Sequence, residues 1–123
     1  MVTYKRPFSG FSVNDTAAAK DFYTDVLGLT VQEENGMLQL DIGDGHSVLA
    51  YPKGEGHVPA TFTVLNLPVD DVSAAVRELA GRGVEFARYD GMPQDEDGVM
   101  KGNGPDIAWF TDPAGNVMSI IST

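Results

Sequence analysis

Few side chains in this chain have both the type and the spacing for chemistry. His46 and His57 are the only imidazoles, and there is no cysteine to act as a thiolate nucleophile or soft metal ligand. His46 falls at a strand edge and His57 in a Gly- and Pro-rich stretch, so both read as solvated. Asp95, Glu96 and Asp97 form an acidic cluster that attracts calcium or magnesium only loosely, because it lacks the spaced ligands and turn glycine of a calcium loop. Asp106 and Asp112 are close enough in sequence for an acid/base pair, yet Asp112 is accounted for by a turn. No Gly-rich phosphate loop follows a strand, no serine sits in a nucleophile elbow, and neither histidine is near a candidate nucleophile. Ser119, Asn66 and Tyr51 remain as groups that a cofactor-free enzyme would use.

Composition narrows the classes further. At 123 residues, 42% of them apolar and with no long apolar run, the chain has the size of one domain with a real core, and the expectation is a soluble globular protein with no membrane span. The opening stretch MVTYKRPFSG has no apolar core of signal-peptide length. With the lack of cysteine, this points to a reducing cytoplasm. A formal charge of -10, from 18 acidic against 8 basic residues, repels a phosphate backbone, so nucleic acid is not an expected partner. The acidity reads as a solvated surface that keeps the protein soluble.

The elements that must position any site are strands and two helices. The clearest signal is Ile107 to Ile121, IAWFTDPAGNVMSII, a hairpin whose turn has Asp112 at the first position, Pro113 at the second and Gly115 at the fourth. Val117, Ser119 and Ile121 point one way from its second strand, Met118 and Ile120 the other. Earlier in the chain Phe8 to Val13 reads as a strand, Asn14, Asp15 or Thr16 caps a helix through about Leu27, and Gly28 stops it. Ala18, Ala19, Phe22, Val26 and Leu27 give that helix its stripe. Strands follow at Leu29 to Glu34, Met37 to Ile42 across an Asn35-Gly36 turn, and His46 to Pro52. Lys53 to Pro59 reads as a linker. Thr61 to Leu67 is then a strand, Asp70 or Asp71 caps a helix with Val72, Val76 and Leu79 as its stripe, and Val84 to Tyr89 is a further strand. Asp90 to Pro105 reads as a long irregular loop. Residues 1–52 and 61–123 are thus two βαβββ modules. Val13, Asp15, Ala18 and Ala19 recur 56 residues on as Val69, Asp71, Ala74 and Ala75, which marks an internal repeat.

The closing hairpin, with FYTDVLGL from Phe22 to Leu29 and GRGVEF from Gly81 to Phe86, resembles the vicinal oxygen chelate superfamily of glyoxalases, bleomycin-resistance proteins and extradiol dioxygenases. The resemblance implies an α+β fold: two βαβββ modules forming curled mixed sheets around a pocket, helices on the outer face, in a single domain over residues 1–123. It also implies four metal-ligand positions, filled in metal-dependent relatives by His, Gln or Glu. Carried over, these fall at Phe8, seven residues before Asp15; at Ala50 by the best alignment; at Val64, seven before Asp71; and at Ser119, seven after Asp112. Hydrocarbon side chains cannot coordinate, and one hydroxyl cannot hold a divalent ion.

What the resemblance then implies is the metal-free, bleomycin-resistance-like branch. Such a protein has no cofactor and no metal, and takes a small hydrophobic or aromatic molecule into an apolar pocket. Phe8, Ala50, Val64 and Ser119 would line it, with Tyr51, Phe62, Tyr89 and Trp109 as stacking surfaces and Met100, beside Met92, as an adaptable rim. The alternatives are an enzyme of the same superfamily, a lyase, isomerase or dioxygenase with an atypical active site, and an interaction module with a vestigial pocket. A homodimer is expected from the superfamily.

Overall fold

The computed structural model describes all residues, Met1–Thr123, and they form two compact units, 1–58 and 59–123. In the first unit β1 (Ser9–Val13) is followed by α1 (Thr16–Asp21), β2 (Thr30–Glu34), β3 (Met37–Gly43) and β4 (His46–Pro52). The sheet runs β1-β4-β3-β2, with β1 parallel to β4 and the other pairs antiparallel. Asn35-Gly36 and Asp44-Gly45 join the antiparallel pairs, and all four residues have positive φ, the backbone that a tight hairpin turn requires.

One face of this sheet is core. Phe11, Ala50 and Leu38 lie opposite one another across β1, β4 and β3, and all three are buried. The ring of Phe11 meets Tyr23 at a centroid distance of 6.1 Å, which identifies this as the helix side. The other face carries Gly10, Ser12, Gln39, Ser47, Leu49 and Tyr51.

Asp15 caps α1, its carboxylate accepting from the Ala18 amide at 3.2 Å. The helix does not continue as α to Leu27. From Phe22–Val26 it widens into a π-helical turn, with the Leu27 amide donating to the Phe22 carbonyl at 3.1 Å. The stripe is corrected accordingly: Ala19 and Tyr23 are the buried pair, while Phe22, Val26 and Leu27 are half-buried. Tyr23 is fully buried between Phe11 and Phe22, and seating that large ring outweighs the regular α-spacing suggested by the apolar pattern.

The expected linker is not loose either. The Lys53 amide donates to Val13 at 2.9 Å, residues Gly54–Gly56 form a 3₁₀ turn, and His57 Nδ1 lies 2.7 Å from Ser12 Oγ. His57 is therefore a half-buried tie to β1 rather than a solvated side chain.

The second unit holds β5 (Thr63–Val69), α2 (Val72–Gly81), β6 (Ile107–Thr111) and β7 (Val117–Ser122) in a three-stranded sheet, β5-β7-β6, with β5 parallel to β7. Asp71 repeats the cap of Asp15, accepting from the Ala74 amide at 3.0 Å. Val72, Val76 and Leu79 of α2 are buried, as are Leu65, Ala108, Phe110, Met118 and Ile120 on one side of the sheet. Burying each large side chain of this kind contributes roughly 1.5–3 kcal/mol. The fold is thus α+β with two mixed sheets, as expected.

Val84 to Tyr89, expected as a strand, is reduced to a single bridge between Phe86 and Phe110, beside a bond from the Ala87 amide to Trp109. The reason is Gln94. Its side chain donates to the carbonyls of Ala87 and Gly98, each at 2.9 Å, and accepts from the Tyr89 amide at 2.8 Å. One amide group therefore takes the backbone partners that a strand would have used. The stretch from Asp90 to Pro105 is held in the same way: Asp95 Oδ1 accepts from the Asp97 and Val99 amides at 2.9 Å, and Arg88 donates to the carbonyls of Asp95 and Glu96.

Candidate functional site

In the second unit β7 and β6 bring Asn66, Ser119 and Trp109 into one row across three strands, opposite the buried α2 side. Ser119 is buried, and its hydroxyl donates to Asn66 Oδ1 at 2.6 Å. Trp109 meets Tyr89 edge to face, with centroids 5.6 Å apart at 81°. Together with Phe62, Thr63, Met92 and Val117 these two rings border an open recess of about 220 Å³.

Of the expected residues, Phe62 and Trp109 meet at this recess. Val64 is the extra residue of a bulge between Thr63 and Leu65, half-buried beside it in sequence. Met100 is not at the rim. Its backbone exchanges bonds with Ile107 at 2.8 and 3.2 Å, and Met92 lines the recess instead. Tyr89, weighed only as a stacking surface, is the partner that orders Trp109. Strand pattern alone did not reveal it, because its placement depends on Gln94.

In the first unit Tyr51 is on the face away from α1, and Phe8 lies just before β1. Phe8 is 66% exposed and borders a cleft of about 610 Å³ with Lys5, Arg6, Gln39, His46 and Ser47. Tyr51 lies against Gly10, where an added Cβ would sit 3.6 Å from the ring and 3.3 Å from the Leu49 carbonyl. Ala50 is corrected: it faces Phe11 and Leu38 in the helix-side core, fully buried. The expected apolar floor is corrected with it, because Ser12, Gln39 and Ser47 share the open face with Leu49 and Tyr51.

The sequence model of the Glyoxalase/Bleomycin resistance protein/Dioxygenase superfamily matches residues 8–120. The chain belongs to this superfamily. Solved structures agree with it. TnmS3, an antibiotic binding protein from Streptomyces sp. CB03234, is 26% identical, with a TM-score of 0.66 and 98% of each chain covered. A glyoxalase/bleomycin resistance protein from the same Streptomyces is 27% identical, with a TM-score of 0.61 over 94% of this chain and 99% of the other. At 22% identity, the glyoxalase/bleomycin resistance protein of Catenulispora acidiphila DSM 44928 shows the same fold, with a TM-score of 0.65 over 95% and 96% of the two chains. A comparison with curated proteins found no match.

The positions expected to hold a metal in metal-dependent relatives carry poor donors here. Phe8 and Val64 have no lone pairs, and Ser119 spends its hydroxyl on Asn66. Nowhere do three His, Asp or Glu side chains gather in a set that would hold an ion. No helix is long and apolar enough to cross a membrane.

Proposed function

We propose that this superfamily member is a binding protein for a small aromatic molecule, held without a metal. The observation that carries the reading is the recess in which Trp109 and Tyr89 stand edge to face beside Phe62 and Met92. Flat ring systems gain from such walls through offset or edge-to-face stacking, and the flexible thioether of Met92 adapts to outlines that rigid side chains do not match. The likeness to TnmS3, an antibiotic binding protein, supports sequestration as the purpose. The poor donor set at the superfamily's ligand positions supports the metal-free branch over a lyase or dioxygenase. The same reading takes the protein to work as a cytoplasmic homodimer, a second copy covering exposed apolar side chains such as Val58 and Phe62.

Trp109 is the only tryptophan, so its emission reports on the recess directly. Titration with a panel of aromatic natural products is expected to quench or shift that emission and raise the melting temperature. Trp109→Phe, read by calorimetry, is expected to weaken binding about tenfold. Stoichiometric nickel, zinc, manganese or iron in the purified protein, or no response to any aromatic compound, overturns the reading. Light scattering at the expected dimer mass tests the assembly.

A further inference from the structure

The chain is strongly acidic, yet the first unit leaves a small group of cations without partners. Of its eight Lys and Arg residues, Lys20, Arg77, Arg82 and Lys101 are in ion pairs, and Arg88 is bound to backbone carbonyls. The side chains of Lys5, Arg6 and Lys53 have neither a carboxylate nor a hydrogen-bond partner. Two of these three, Lys5 and Arg6, are adjacent and border the cleft of about 610 Å³. The polar groups around them are equally unused: the imidazole of His46, the hydroxyl of Ser47 and the side-chain amide of Gln39 have no partner in the protein. Phe8, exposed on the same cleft, offers a ring beside them. Asp44 is the one carboxylate on its border, and it is not within ion-pair reach of Lys5, Arg6 or His46.

We propose that this cleft is a binding site for the carboxylate of an aromatic acid, the anion held by Arg6 and Lys5 and the ring laid on Phe8. A planar guanidinium matches a carboxylate with two parallel hydrogen bonds, and a neighbouring ammonium adds a point charge. Hydroxyl and amide donors from Ser47 and Gln39 supply the remaining hydrogen bonds of a bound carboxylate. The surrounding excess of negative charge makes the choice selective. Anions are repelled from the rest of the surface and gain only where unpaired cations converge. This site goes beyond the aromatic recess of the second unit and stands on different residues.

Calorimetric titration of the full chain with 9-anthracenecarboxylate, its neutral analogue 9-anthracenemethanol and its cationic analogue 9-(aminomethyl)anthracene tests it. The acid is expected to bind at least about tenfold more tightly than the alcohol at low salt, and added salt is expected to erode the difference. Arg6→Gln and Lys5→Gln are expected to weaken the acid by about tenfold each, with no change for the alcohol. Lys53→Gln removes the same charge away from the cleft and is expected to leave the affinity unchanged. All three substituted side chains are exposed, and unchanged melting curves verify that each variant folds. Backbone amide shifts on adding the acid should centre on Lys5 to Phe8 and His46 to Ser47. Equal binding of acid and alcohol, preference for the amine, no binding of the acid at millimolar concentration, or a loss in Lys53→Gln equal to that in Arg6→Gln overturns the proposal. Trp109 emission that still responds to aromatic compounds in any of these cases leaves the recess intact, so the two sites fail separately.

Discussion

The tightest local chemistry in the chain is in the closing turn. Asp112 Oδ1 accepts from the Ala114 and Asn116 amides at 3.0 and 2.8 Å, Asn116 Nδ2 donates to Asp112 Oδ2, and Asn116 Oδ1 accepts from the Ala60 amide at 3.1 Å. Asp112 and Asn116 are both buried, so each polar atom here depends on another. Asn116→Ala leaves the Ala60 amide without its partner and is expected to lower stability by about 2 kcal/mol in urea unfolding. Gly115→Ala should add to this, because its φ is +83° and a Cβ would sit 3.1 Å from Pro59. This turn was legible from five consecutive residues because, the tie to Ala60 apart, its bonds are local. Ser119 was legible only in part. Its position after Asp112 placed it at an expected ligand position, but the bond to Asn66 depends on the register of two strands far apart in sequence. Ala50 was misread for a related reason. Strand alternation gives two faces but not which one meets the helix, and a shift of one position moves a side chain from site to core.

Among the elements, the repeated caps were legible and the breaks in regularity were not. Asp15 and Asp71 hold equivalent places, and Asp→Ala at either is expected to lower stability by about 1 kcal/mol, read as a drop in melting temperature. The π-helical turn after α1 has no local signature, because it arises from the burial of Tyr23 against Phe11. The acidic stretch reads as a solvated loop in sequence, yet Asp95 has a structural task. Partial burial works against its charge, but hydrogen bonds from the Val99 and Asp97 amides and the nearby Lys101 outweigh that and hold its carboxyl below the ordinary value. A carboxyl lowered by folding contributes stability that is complete above the ordinary carboxylate range and is lost as pH falls through the lowered value. The protection of the Asp97 and Val99 amides against hydrogen exchange, measured relative to the intrinsic rate at each pH, should therefore fall on acidification. Asp95→Asn should exchange faster at neutral pH and lose most of that dependence.

At the scale of the whole molecule, charge and composition set limits on partners rather than on fold. With a net charge of -10 and exposed ion pairs that contribute little, self-repulsion works against the compact state. Moderate sodium chloride is expected to raise the melting temperature, in contrast to its effect on an anion bound at Lys5 and Arg6. The α+β class and superfamily were legible because the turn and the two helix junctions are local patterns that recur along the chain. The binding surfaces were not, because they depend on which strand face stays open and on side chains that stand in for backbone. Gln94 is the clearest case. Since residues 87 to 89 are held by one side-chain amide, a single backbone bond from Ala87 to Trp109 and the Tyr89–Trp109 ring contact instead of a fourth strand, the wall carrying Tyr89 and Met92 is only lightly tied to the sheet. Lengthening or shortening it would leave β5, β6 and β7 in register, making it the natural place to graft new selectivity onto this scaffold.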